Sequence, residues 1–222
     1  MSRVVVKLGG RVAATSLALV RDRHAAGDEV VVVHGGGPQI TAELEALGVH
    51  ARFVGGRRVT DHEALVVVRR ALVAVGAELC AALGEIAVHL VGDEIGLEAV
   101  RVHELGFVGD PLPCGPAAVE DALRDRRLPV VTPVAVGPLN VNADEAASAL
   151  AAGLGADRMV FVSDVPGVYL EGSVVSHLDV VQAAALLEEG VFEGGIVPKL
   201  LAAVGAAREG IAVEIGETAV VA

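Results

Sequence analysis

Two lysines near opposite ends of the 222-residue chain stand beside paired glycines. Lys7 ends the run Val4-Val5-Val6-Lys7-Leu8 and is followed by Gly9 and Gly10. Lys199 follows Gly194 and Gly195 in Gly194-Gly195-Ile196-Val197-Pro198-Lys199, at the start of a helical stretch. A lysine at the end of a buried parallel strand sits where ligands bind in open α/β sheets. Adjacent glycines let the backbone approach a bulky anion. The chemistry suited to two such cations is phosphoryl transfer, which depends mostly on positioning and on stabilising charge spread over oxygens in flight. An aspartate between them would order the pair. A carboxylate acceptor already carries its nucleophilic oxygen at neutral pH, so no strong general base is required.

Three further segments fit an anion site. Val33-His34-Gly35-Gly36-Gly37-Pro38-Gln39 sets three glycines between a strand and a helix, exposing N–H groups at a helix N-terminus. It is neither a Walker A loop nor a G-x-G-x-x-G fingerprint. In Gly56-Arg57-Arg58-Val59-Thr60-Asp61, an arginine just before a helix cap could clamp a carboxylate in bidentate fashion. In Asn140-Val141-Asn142-Ala143-Asp144, alternation puts both asparagines on one side of an extended segment, and Asp144 begins a helix. Each segment alone has a plainer reading. Lys7 could snorkel from an ordinary strand end, either arginine could be solvated, and the Asn-Asp run could be an Asx turn with its cap.

The elements that must position these residues alternate. Strands are expected at Arg3–Leu8, Glu29–His34, Ile86–Val91, Ala99–His103, Val130–Val134, Met159–Val162 and, last, Ile211–Ile215. Helices are expected at Val12–Ala26, Gln39–Leu47, from the Thr60 or Asp61 cap to Leu83, and at Ala117–Arg126, Asp144–Leu154, Val180–Glu188 and Pro198–Glu209. Gly92–Gly96 and Gly106–Gly115 read as turns and a hairpin region. The β-α-β-α opening predicts a mainly parallel sheet with helices on its faces, one α/β sandwich. A hinge is expected between residues 133 and 139.

Composition narrows the function. With 53% hydrophobic and 21% charged residues the chain has ample material for a core. No apolar run has the length of a membrane span. The opening MSRVVVKLGG has no cleavage site, so the expected location is the cytoplasm. A net charge of −12 disfavours nucleic-acid and acidic-membrane partners. Cys80 and Cys114 read as buried free thiols, and no histidine pair has zinc-ligand spacing.

Taken together, VVVKLGG, VVVHGGGPQI, GGRRVTD, ELGFVGDP, LPVVTPV, NVNADEAASALA, GLGADRMVFVSDVPGV and GGIVPK resemble the amino acid kinase family, and within it most closely the acetylglutamate kinases. They fall in the family's order and cover nearly the whole chain. The resemblance implies a three-layer α/β/α sandwich of the carbamate kinase type. Residues 1–137 would form a lobe for the amino acid substrate and dimerisation, and residues 138–222 an ATP lobe. It implies transfer of the ATP γ-phosphoryl group to the side-chain carboxylate of N-acetylglutamate. In this scheme Lys7 and Lys199 stabilise the moving group and Asp144 holds them. Gly36, Gly37, Arg58, Asn140 and Asn142 bind the acyl amino acid. Gly9, Gly10, Gly35, Asp164, Gly167, Tyr169, Gly194 and Gly195 lie at phosphates or nucleotide. Mg²⁺ is held by ATP phosphates rather than by the protein.

The sequence also departs from the family pattern. It opens on its first strand, without the N-terminal helix of arginine-inhibited hexamers, so a homodimer without arginine feedback is expected. The segment after Val168 and the tail after Ile211 are short, which implies an abbreviated nucleotide pocket. With four Phe, one Tyr and no Trp, adenine would rest on aliphatic side chains. Arg11 stands where the family more often has a small residue. Two other functions compete. One is phosphorylation of aminoadipate on an acidic carrier protein, which would need a basic patch from Arg52, Arg57, Arg58, Arg69 and Arg70. The other is a non-catalytic binding or regulatory module.

Overall fold

The computed structural model describes residues 1–9, 14–162 and 166–222. Three valine-rich runs, β1 (Arg3–Leu8), β2 (Glu29–His34) and β8 (Leu128–Thr132), lie side by side and are almost wholly buried. Runs apolar on both faces belong in the middle of a parallel sheet covered by helices on each side. Between β1 and β8 the chain forms α1 (Ala14–Ala25), α2 (Gly37–Ala46), a hairpin of β3 (Phe53–Val54) and β4 (Arg57–Arg58), α3 (His62–Leu83), β5 (Ala87–Val91) and α4 (Gly92–Ile95). Then come β6 (Ala99–Arg101), a 3₁₀ turn at His103–Leu105, β7 (Val108–Pro111) and α5 (Ala117–Arg124). After β8 follow β9 (Val134–Ala135), β10 (Leu139–Val141), α6 (Ala143–Gly153) and β11 (Arg158–Val162). The chain then forms β12 (Tyr169–Leu170), β13 (Ser173–Val174), β14 (His177–Asp179), α7 (Val180–Glu188), α8 (Ile196–Arg208), β15 (Ala212–Ile215) and β16 (Thr218–Val221).

The main sheet has eight strands in the order β14-β16-β15-β11-β1-β2-β8-β5. Every neighbouring pair is parallel except β15 with β16. The two faces of β1 feed separate cores. Val4, Val6 and Leu8 pack with Val20 of α1 and with Val75, Leu79 and Leu83 of α3. Val5 packs with Val31, Met159 and Phe161 beneath α5, α6, α7 and α8. The result is a three-layer α/β/α sandwich with a largely parallel sheet.

The chain between β5 and α6 builds a second sheet, in the order β6-β7-β10-β9. Its strands carry two to four residues each, too few for a period-2 pattern to register in sequence. The tail is a further departure from expectation. Residues 218–221 are not a remnant but β16, antiparallel to β15 through Val213–Val220 and parallel to β14. Gly216 turns the chain between β15 and β16, at φ +55°.

Candidate functional site

Parity along β1 decides where Lys7 goes. Odd-numbered residues of this strand face α6 and α8, so Lys7 lies on the same face as Val5, with Val33 of β2 and Phe161 of β11 beside it in register. Asp144 occupies the first turn of α6. Its helix is capped by Asn142, whose side-chain oxygen accepts from the N–H groups of Asp144 and Glu145. A carboxylate there is favoured by the positive end of the helix. Lys199 sits in the first turn of α8, its ammonium 5.0 Å from the centroid of the Phe161 ring.

These three groups meet. Lys7 Nζ lies 2.8 Å and Lys199 Nζ 3.2 Å from the same oxygen, Asp144 Oδ1, and each side chain is about one-tenth exposed. Two ammonium groups against one carboxylate leave an excess positive charge in a buried place, an arrangement suited to an anion. Burial is the main influence on Lys199 and lowers its pKa; Asp144 opposes the shift and nearby Lys7 adds to it.

Lys7 and Asp144 stand at the wall between two cavities, and Lys199 borders the second. The first, about 280 Å³, is bordered by the glycine turn (Gly35, Gly36, Gly37), Arg58, Asn140 and Asn142, with Ile40, Leu72 and Val108 giving it apolar sides. The second, about 550 Å³, is bordered by Gly9, Glu193, Gly195, Ile196 and Pro198. Lys7, Gly56, Asn142 and Asp144 border both.

The two adjacent arginines have separate fates. Arg58 is buried, stacks on Phe53 at 4.7 Å and donates to Thr41 Oγ1 at 2.7 Å. Its Nη1 is buried without a partner among the described residues, and burial lowers its pKa. An unpaired guanidinium nitrogen beside a cavity suits a carboxylate. Arg57 instead joins the hairpin to Glu145 on α6, at 2.9 and 3.0 Å, and to Asp110 on β7. Neither acidic partner was singled out from the sequence. Their only signals were the Asp144-Glu145 pair at a helix start and the Gly-Asp-Pro turn.

Several expected site residues sit differently. The N–H of Gly9 donates to Val162 O at 3.1 Å and that of Gly35 to Leu8 O at 2.9 Å, so neither is free for a phosphate. Gly36 borders the first cavity, and its N–H meets no acceptor among the described residues. Asn140 donates to Thr60 Oγ1 at 3.0 Å, which ties the second sheet to the base of α3. Gly167 is a packing position: a Cβ would lie 2.6 Å from Val174 Cγ1 and 2.7 Å from Thr218 Oγ1. Tyr169 is half exposed on the β12–β13 hairpin, and neither it nor Gly167 borders either cavity. Gly194, at φ +66°, turns the chain into α8 beside Gly195. Gly10, Arg11 and Asp164 lie outside the described residues. Cys80 and Cys114 are free thiols, half-buried rather than fully so, and burial raises the pKa of both, Cys80 to about 11.

Known proteins resemble this chain in sequence and in fold. The model of the Amino acid kinase family matches residues 2–217. An acetylglutamate kinase of Saccharopolyspora erythraea is 40% identical over 235 residues, taking in 94% of this chain and 77% of that one. Another, of Sinorhizobium medicae, is 34% identical over 252 residues, with 97% and 84% covered. Among solved structures, smu.665 of Streptococcus mutans superposes with a TM-score of 0.91 at 28% identity, over 99% of this chain and 98% of that one. Carbamate kinase of Giardia lamblia bound to AMP-PNP, at 16% identity, shares the fold with a TM-score of 0.72 over 99% and 98% of the two chains. Agreement over almost the entire length, in sequence as in architecture, leads to one assignment: this chain belongs to the amino acid kinase family.

Proposed function

We propose that the protein transfers the γ-phosphoryl group of ATP to the side-chain carboxylate of N-acetyl-L-glutamate, giving an acyl phosphate. The observation that carries this reading is the shared oxygen: Lys7 Nζ and Lys199 Nζ, at 2.8 and 3.2 Å from Asp144 Oδ1, at the wall between two cavities. The smaller cavity, with apolar sides and the unpaired Arg58 nitrogen, suits an acyl amino acid. The larger, between Gly9 and Gly195, suits a nucleotide triphosphate. The proposal gives the chain up to about residue 137 mainly to the acceptor and the remainder mainly to ATP, with Asn140 and Asn142 reaching into the acceptor cavity and Lys7 and Gly9 into the other.

In this mechanism the acceptor carboxylate attacks as the anion it already is. Lys7 and Lys199 neutralise charge on the equatorial oxygens, and Asp144 keeps their heads together against mutual repulsion. The Gly36 N–H donates to an oxygen on the acceptor side, and Arg58 orients the substrate through a carboxylate. Among the described residues no three His, Cys, Asp or Glu side chains form a group that could hold a metal. Mg²⁺ would arrive on the ATP phosphates and share their charge. No helix among the described residues is long and apolar enough to cross a membrane. The proposal extends to a cytoplasmic homodimer, which light scattering after size exclusion would check.

The acidic-carrier reading loses its basic patch. Arg57 pairs with Glu145 and Asp110, Arg69 with Asp93 and Glu94, and Arg70 with Glu43, while Arg58 is buried, so that of the five only Arg52 is exposed without an ion pair among the described residues. A coupled ADP-release assay would compare N-acetylglutamate, N-acetylaminoadipate, glutamate, aspartate, carbamate and UMP. N-acetylglutamate is expected to give the highest kcat/KM, and Lys199→Ala to lower kcat by about 10²–10³. Bound ligands without turnover, or preference for another acceptor, would falsify the proposal.

A further inference from the structure

Behind the glycine turn runs a chain of buried polar groups that the mechanism above does not use. His34 ends β2 with no exposed surface. Its Nδ1 lies 3.1 Å from the carbonyl oxygen of Gly35, and its Nε2 3.1 Å from Thr132 Oγ1 at the end of β8. The same hydroxyl lies 2.8 Å from Nε2 of His89 on β5. Helix α3 leaves room for the group by placing Gly76 over it. A Cβ at that position would come within 2.2 Å of His89 Nε2 and 2.8 Å of Thr132 Oγ1.

Partner chemistry fixes the order of the hydrogens. A carbonyl oxygen only accepts, so Nδ1 of His34 carries the hydrogen and donates to Gly35 O. Burial brings the pKa of His34 down to about 4 and lowers that of His89 as well, so both rings are neutral at neutral pH. A neutral ring with its hydrogen on Nδ1 presents Nε2 as an acceptor. The Thr132 hydroxyl has one hydrogen, and it donates that to His34 Nε2. Its oxygen then receives the Nε2–H of His89. Each donor in the chain points from β5 toward the glycine turn.

The last link is a peptide plane. The bond between Gly35 and Gly36 is trans, so anchoring the carbonyl on one side aims the Gly36 N–H to the other. Gly36 borders the first cavity, and its N–H is unmatched among the described residues. We propose that the His89–Thr132–His34 relay sets the Gly35–Gly36 peptide so that the Gly36 N–H is held as a donor for an oxyanion in the first cavity. His34 and Thr132 are then positioning residues that never touch substrate. The identity of that oxyanion as the acceptor carboxylate rests on the phosphotransferase reading.

Thr132→Val keeps the side-chain shape and removes the hydroxyl, whereas Thr132→Ser keeps the hydroxyl. Ring-nitrogen NMR on the full chain reads the tautomers without ligand or turnover. The wild type and Thr132→Ser are expected to carry the His34 hydrogen on Nδ1, and Thr132→Val to show a mixture of tautomers. A wild-type His34 with its hydrogen on Nε2 overturns the relay. In steady-state kinetics with ATP and N-acetylglutamate, Thr132→Val is expected to lower kcat by about tenfold or more, with the KM for ATP little changed and most of the loss restored in Thr132→Ser. An undiminished kcat in Thr132→Val, or a loss that serine does not restore, also overturns it. Should Thr132→Val not fold, His89→Leu removes the first donor of the chain and is read in the same two ways. If no acceptor is turned over by the wild type, the phosphotransferase reading fails by itself, and the tautomer measurement still decides the relay.

Discussion

Lys199 holds its proton less firmly than a surface lysine, because burial outweighs the pull of Asp144 and Lys7 stands close by. The charged form is the one that can stabilise a phosphoryl group. As pH climbs through a lowered pKa, the neutral fraction grows sooner than it would for a free side chain. The alkaline limb of kcat is therefore expected below 10.5, the ordinary lysine value; a profile still flat at that pH would count against a role for Lys199. Lys7, Asp144 and Lys199 were legible in the sequence because glycine pairs and a helix start mark them as ends of elements. His34, Thr132 and His89 were not. A lone histidine or threonine in an apolar strand has no spacing that reveals a neighbour, and these three meet only when β2, β8 and β5 pair side by side. Gly9 and Gly35 border the two cavities, but their N–H groups are already engaged. A glycine-rich turn implies free N–H groups, yet strand neighbours take both of these.

Helix α3 illustrates how an element is shaped by what lies under it. On an exposed helix, Gly→Ala is worth about 1 kcal/mol of stability. At Gly76 the added methyl would meet His89 Nε2 at 2.2 Å, which no ordinary Cβ contact allows. Gly76→Ala is therefore expected to destabilise by about 1–3 kcal/mol, the usual cost of overpacking, as measured by urea unfolding. A gain in stability would mean that the ring and helix separate easily. The long elements were readable: α3 with its Asp61 cap, β1, β2, α7 and the capped start of α6 all fall within a residue or two of their expected limits. The short ones were not. β3, β4, β9, β12 and β13 have two residues each, and only their partners make them strands. Two of these, β3 and β4, place Arg58 over the first cavity, so part of the site was hidden in elements without a sequence signature.

At the scale of the whole molecule, ligands that bridge the shared wall should stabilise the fold. ATP at a hundred times its Kd would add about 2.7 kcal/mol, or roughly 5–10 °C in Tm for a domain of this size. Differential scanning calorimetry with ATP, with N-acetylglutamate and with neither would check this, and an unmoved Tm at saturating ATP would deny a nucleotide site. The sheet order has a consequence for biosynthesis. β1 is flanked by β2 on one side and by β11 on the other. About 150 residues separate Leu8 from Arg158, where β11 begins. At roughly 5–20 residues per second, a ribosome needs on the order of ten to thirty seconds to supply that second neighbour. For that interval the nascent chain displays a bare Val-Val-Val edge, the kind of strand other chains readily pair with. Chains interrupted before residue 158 keep that edge, so premature termination should give sticky products, and the second half of the gene acts as the lid on the first strand.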